Sequence, residues 1–368
     1  MNLLARRRLI VAAVATLLGG CATAQGNWPT PPNPQETGNT MSWKNHCVGR
    51  VMMSLPEDRP LTWSTGFDFA EVKRISSLSE KQFWDGVEVV RKRYLAQEHR
   101  LAPSRLAHFE KIGSNAAFVA YFDSPNSFWG PVLERFVYLD KDHAYEMRTG
   151  GLDTANVPPT PELFRANFDR YTPILSRIHP LAPGQFPNRD GLCIDSAVVS
   201  GETSRNASAA LIAEIAFGTE LVVAYRENLY KVAIYNGYEE LKFDEDHAAN
   251  PMGYDGPDAF KDFKVLRKRE RTLAGIAGQE IITRTQRNDG QVFYRMQWTV
   301  KGALDGGVLK PRVVVHLNTP QTATDTKGKP YDKLPPEPEL LKLWDYALST
   351  FQWRAGALPD GQQIQAVN

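Results

Sequence analysis

The order of predicted elements runs twice along this chain of 368 residues, and each run opens on a strand that carries a cysteine. In the first, Cys47, Gly49, Val51, Met53 and Leu55 alternate with His46, Arg50 and Ser54 until Pro56 stops the pattern. A period of two predicts one strand with a single buried face. In the second, Cys193 sits in Gly191-Leu192-Cys193-Ile194-Asp195.

Each run continues as a meander. Residues 116–122 and 133–139 read as strands, and a polar turn from Asp140 to His143 leads to Tyr145 and Met147. Later, 280–286 reaches Asn288-Asp289-Gly290, followed by Val292, Tyr294, Met296, Trp298 and Val300. That is strict alternation around a hairpin turn. Residues 312–318 add a strand, and 209–217 fits a strand leading into 221–225.

Each run closes on an amphipathic helix. Thr160 caps the first, Pro161 takes its first position, and Phe164, Phe168, Tyr171, Leu175 and Ile178 share a face, with Pro173 predicted to kink it. From Glu337 the second places Leu341, Trp344, Leu348 and Phe351 in a stripe. A further helix starts at Ser79, with Gln82 completing a capping box, and buries Phe83, Val87, Val90 and Tyr94. Contiguous strands with separate helices imply an α+β fold: two related domains, each a mostly antiparallel sheet with helices packed on one side. Pro180, Pro183, Gly184 and Pro187 mark the boundary, giving domains at 41–182 and 188–356 and a flexible tail at 357–368.

Residues 1–20 have the layout of a secretory signal: Arg6-Arg7-Arg8, an apolar run from Leu9 to Leu18, then small residues. The run is half the length of a membrane span. Leu18-Gly19-Gly20-Cys21 fits a lipobox, so cleavage before Cys21 and lipid on that cysteine are expected; an ordinary signal cut after Ala22 or Ala24 is the alternative. Ala22 in place of aspartate points to the outer membrane, inner leaflet, facing the periplasm. Residues 21–40 form a proline-rich tether, whose seventeen residues from Ala24 to Thr40 reach on the order of 50 Å if extended.

Without the three signal arginines, forty basic residues face forty-two acidic ones. No basic stripe supports nucleic-acid binding. Cys47 and Cys193 remain in an oxidising compartment and are expected to pair, the alternative being two buried thiols. Catalytic and metal motifs are absent from the sequence: there is no G-x-S-x-G elbow, P-loop or C-x-x-C, and the seven histidines never fall at ligand spacing. Asp244-Glu245-Asp246 resembles the start of a calcium loop but lacks its glycine. No cofactor, metal or catalytic residue is expected.

Two stretches suit contact with a partner. Residues 123–131 place Phe128 and Trp129 between strands, and large aromatics favour binding hot spots. Residues 243–263 mix acids, among them Asp244 and Asp246, with Met252, Tyr254 and Phe260 in a stretch longer than ordinary connections.

Cys47-Val48-Gly49-Arg50, with the strand ending at Leu55-Pro56, resembles the immunity proteins that protect bacteria from type VI secretion phospholipase effectors. Gly191-Leu192-Cys193-Ile194-Asp195 is similar to the strand opening that family's C-terminal domain, although Leu192 and Ile194 replace aromatics and Ser196 replaces glycine. The resemblance implies a non-enzymatic protein that binds a cognate lipase effector in the periplasm and blocks substrate access. A structural or assembly lipoprotein of the envelope is the first alternative. A hydrolase built on Asp195 or Glu214 with a histidine is the second.

Overall fold

A computed structural model describes residues 42–56, 61–67, 70–75, 78–126, 131–149, 161–182, 185–201, 207–215, 219–226, 260–300, 302, 309, 311–320 and 334–357. These residues form mostly antiparallel sheet with three helices among them.

The cysteine-bearing run at 47–55 is a hairpin, where the alternation predicted a single strand. Strand β1 (Trp43–Val48) and β2 (Val51–Pro56) pair with Val48 opposite Val51, leaving Gly49-Arg50 as a two-residue turn. Gly49 has φ +62°, a conformation glycine adopts at no steric cost. All six residues of β2 are buried, so no polar face marked the fold-back.

Strands β3 (Leu61–Phe67) and β4 (Ala70–Ile75) lead to helix α1 (Glu80–Leu95), where the predicted capping box of Ser79 and Gln82 is formed. The strands β5 (Leu106–Ile112), β6 (Ala116–Tyr121), β7 (Val132–Asp140) and β8 (His143–Thr149) follow, then α2 (Pro161–Leu175) and β9 (Ile178–Pro180). Ile178 therefore belongs to a strand, not to the helical stripe. The two helices take opposite faces of the same strands, which corrects the expectation of helices on one side. Phe83 and Val87 of α1 pack with Ala117 and Val119, whereas Phe164 and Phe168 of α2 pack with Phe118 and Ala120. Neighbouring residues of β6 thus point both ways, as a strand requires.

The strands of the second run repeat the order of those in the first, beginning with β10 (Gly191–Ile194), β11 (Ala197–Ser200), β12 (Ser208–Ile215) and β13 (Thr219–Arg226). After them come β14 (Phe260–Leu273), β15 (Ile276–Arg287), β16 (Val292–Val300) and β17 (Arg312–Asn318). Helix α3 (Glu337–Ser349) and β18 (Gln352–Trp353) close the chain. The hairpin around Asn288-Asp289-Gly290 stands as predicted. Of the predicted stripe Trp344, Leu348 and Phe351 are buried, joined by Leu340, Leu343 and Ala347, while Leu341 is only partly so.

Twelve strands form one sheet in the order β14-β15-β16-β17-β13-β12-β3-β4-β8-β7-β6-β5. Read outward from its centre, the order on each side is a hairpin, then a jump, then a return. The sides meet where β12 pairs with β3, with Leu211 opposite Trp63 and Ala209 opposite Thr65. The small sheets exchange strands. β9 follows the first run but pairs with β11, and β18 follows the second but pairs with β2. Gly49 and Cys193 trade two backbone hydrogen bonds, of 3.2 and 2.7 Å, at this junction. Cys47 and Cys193 are bonded there, with α-carbons 5.8 Å apart. They occupy equivalent hairpin positions, Cys47 facing Met52 and Cys193 facing Val198.

Two buried arginines fasten the connection between the runs. Arg50 donates to Asp190 and to the Ala357 carbonyl, and Arg354 donates to the carbonyls of Pro187, Arg189 and Gly191 at 2.6–2.7 Å. Under the second side of the sheet, the fully buried Glu280 accepts from Arg267, Arg269 and Arg271 of β14 and from the Trp344 indole. Asp345 shares Arg267 and Arg271.

Candidate partner-binding surface

Phe128, Trp129, Asp244, Asp246 and Tyr254, the residues predicted to meet a partner, lie outside the described residues, as does Cys21. The edges of both stretches are described. Residues 260–263 are already strand, so the acidic stretch ends in β14.

The chain entering the aromatic stretch is firmly held. Arg105 donates to the carbonyls of Phe122 and Asp123, and the amide of Arg100 donates to the Pro125 carbonyl at 3.0 Å. His99 stacks on Phe122 at 4.0 Å, and Tyr94 stacks on Tyr121 at 3.7 Å, fixing this end of β6 to the last turn of α1 and the segment after it. Residues 123–126 are exposed.

Beside them the sheet carries a charged field. Glu134 of β7 lies opposite Arg148 of β8, which lies opposite Glu71 of β4; Phe136, Glu146 and Lys73 form the next row. Arg148 also reaches Asp123 at 3.6 Å, tying the field to the aromatic stretch. Burial holds the Glu134 carboxyl above its usual range, against the lowering effects of the Tyr121 hydroxyl and Arg148. Burial and then the Glu134 charge do the same for Glu146. Opposite signs directly across a sheet stabilise one another, so these rows hold their side chains in set positions. With Glu134 buried, the field presents Glu71, Glu146, Arg148 and Lys73, a pattern suited to complementary polar contact.

The carboxylate most relevant to hydrolysis is Asp195, which burial pushes up to about 6 despite Arg74. A general base must take the nucleophile's proton. Here the Ser196 hydroxyl bonds Asp195 at 2.9 Å and receives Arg74 at 2.9 Å. His143 is occupied by Asp140 at 2.7 Å and by the Leu181 carbonyl at 3.3 Å. The Tyr145 hydroxyl donates to the Asp195 carbonyl, and the Leu181 amide donates to the Ser196 carbonyl. These contacts seat the β10–β11 turn on β4 and β8, and they pair no serine with a histidine. Glu214 lies on β12 opposite Glu220. His179 does meet Ser200, at 2.9 Å, across β9 and β11 without a carboxylate bonded to that ring in the described contacts.

A groove of about 290 Å³ opens between β5 and α2, lined by His108, Glu110, Phe118, Glu162, Arg165 and Phe168. Arg165 already bridges Glu110 at 2.9 Å and lies over the Phe168 ring. Among the described residues no three His, Cys, Asp or Glu side chains gather as metal ligands.

The sequence reading missed Arg50, Arg354 and the Glu280 cluster, whose partners lie far apart in the chain. For Glu280 the signal was present in Arg267, Arg269 and Arg271, which alternate on one strand face.

Residues 185–356 match the family described as Tle cognate immunity protein 4 C-terminal domain. This bears out the resemblance read from Gly191 to Asp195. No curated protein matches the chain. Among solved structures, the chain is similar to one in the crystal structure of a Tle4-Tli4 complex, with a TM-score of 0.63 and 16% identity over 85% of this chain and 98% of that one. It is equally similar to the apo immunity protein TplEi of the type VI secretion system of Pseudomonas aeruginosa, with a TM-score of 0.63 and 16% identity over 85% of this chain and 97% of that one. At that identity the likeness establishes the fold.

Proposed function

We propose that this chain is an immunity protein that binds a cognate type VI secretion phospholipase effector in the periplasm and blocks access to its active site. The observation that carries the reading is the family match over residues 185–356. The fold likeness to immunity proteins over 85% of the chain extends it to the first run. Blocking needs a shaped surface and no chemistry. The contacts of these groups accord with this, since Asp195 and Ser196 are spent on holding the β10–β11 turn and His143 is engaged by Asp140 and the Leu181 carbonyl.

On this reading the two runs are related domains, at 41–182 and 188–356, set in one sheet. Each offers the effector a separate contact, and linked contacts raise avidity when both engage together. The stretch around Phe128 and Trp129, with the neighbouring field of Glu71, Lys73, Glu146 and Arg148, is one contact. The stretch of Asp244, Asp246 and Tyr254 is the other. Lipid on Cys21 and the tether hold the body at the outer membrane's inner leaflet, where an injected phospholipase attacks.

The test expresses the lipase of the same genome in the periplasm with and without this protein. Survival, phospholipid hydrolysis and complex formation by size exclusion are measured. Protection with a stoichiometric complex is expected. Equal killing and no complex would discard the reading in favour of an envelope lipoprotein.

A further inference from the structure

Among the described residues β14 is the outermost strand on one side of the twelve-stranded sheet and, at fourteen residues, long for an edge. Its sequence holds six basic residues against two acidic, in a chain close to neutral overall. Arg267 and Arg271 turn inward to Glu280 and Asp345, whereas Lys261, Lys264 and Lys268 are exposed. Lys264 stands opposite Arg284 and Lys268 opposite Ile281, positions of opposite parity in β15, so the lysines flank the edge on both faces.

Two kinds of partner fit a sheet edge, an added strand or a charged surface. An added strand needs a regular ladder. β14 breaks register between Phe260 and Asp262 and again between Val265 and Arg267, and such bulges, like edge lysines, discourage strand addition. What remains is a row of exposed lysines, with Asp262 between the first two and 3.6 Å from Lys264, spanning roughly 23 Å from Lys261 to Lys268 at about 3.3 Å per residue. Such a line is complementary to a layer of phosphates.

We propose that the β14 edge rests on an anionic phospholipid surface, with Lys261, Lys264 and Lys268 against the headgroup phosphates. The contact turns the body so that one end of the sheet faces the bilayer and the other, at β5, faces away. It stands on the edge itself and does not depend on the effector reading. Guarding the edge against aggregation is a sufficient use for lysines, and it predicts no dependence on lipid.

The test uses the full mature chain exported without its lipid, carrying Cys21→Ser. The protein is cosedimented with vesicles of phosphatidylcholine alone or mixed with phosphatidylglycerol, at low and high salt. Binding to the mixed vesicles only, lost at high salt, is expected. Lys261→Gln, Lys264→Gln and Lys268→Gln together should weaken it on the order of a hundredfold, and Lys264→Gln alone by about fivefold. Lys111→Gln, at the opposite edge, should leave it unchanged. Failure of the wild-type chain to bind mixed vesicles, equal binding to neutral vesicles, or undiminished binding by a folded triple variant would overturn the proposal. Thermal unfolding certifies the fold, and the single variant decides the matter if the triple variant unfolds.

Discussion

Glu280→Gln keeps the shape of a fully buried side chain and removes its charge. The carboxylate accepts from Arg267 at 3.2 Å, Arg271 at 2.9 Å and the Trp344 indole at 2.7 Å, with Arg269 on its other oxygen. Breaking a buried ion pair by removing one partner costs about 3–5 kcal/mol, because it strands the other charge. Arg267 and Arg271 keep Asp345, and Arg269 is 49% exposed, so the lower end, about 3 kcal/mol, is expected. Glu280→Leu should cost roughly 1–2 kcal/mol more, since it also leaves the Trp344 N–H without an acceptor.

Acidity gives an independent handle on the same group. Burial would raise the Glu280 carboxyl, but the hydrogen bonds from Arg269 and Trp344 and the charge of Arg271 hold it below its ordinary 4.5. The unfolded chain therefore binds this proton more readily than the folded one. The stabilisation is complete above the ordinary value and is lost as pH falls through the lower folded value. Urea unfolding with the disulfide intact, in a series from neutral pH into acid, should show the two proteins converging as pH falls. A neutral-pH loss under about 1 kcal/mol, or identical acid slopes, would refute the assignment of Glu280 as the anchor of this cluster.

The Cys47–Cys193 bond closes a separation of 146 residues, which the chain-entropy account values at about 5 kcal/mol at most. Cys47→Ser with Cys193→Ser should remain folded through the β3–β12 pairing and the exchanged strands while unfolding at lower urea; an unchanged midpoint would contradict this. Asp195 is pushed up to about 6 in the folded protein, so its contribution is complete below the unfolded value of 3.8 and fades as pH rises through 6. Asp195→Asn should flatten the stability profile between pH 4 and 7, and a parallel profile would show that Asp195 does not titrate in that range.

Much of the local architecture was legible because alternation and capping are written within a dozen residues. The β15–β16 hairpin, β17 and the Ser79 capping box are of this kind. Local pattern failed where burial is two-sided. All six residues of β2 are buried, so its run looked continuous with β1 and only Gly49 marked the turn. The opposite placement of α1 and α2 was equally hidden, because β6 reads as a continuous apolar run when both of its faces are covered. Strand exchange left no trace in either partner, since β9 and β18 are three and two residues long and their pairing is decided by segments elsewhere. For the site, the sequence marked Asp195 but could not give the partners that commit it to a turn, because Arg74 and Tyr145 come from the other run.

The pairing of β18 with β2 also sets a timetable. Met52 and Gln352 are partners three hundred residues apart. A chain that emerges from its N-terminus must hold the first hairpin without its third strand until almost all of the protein has been made. Completion of this three-stranded sheet is thereby deferred to the end of synthesis.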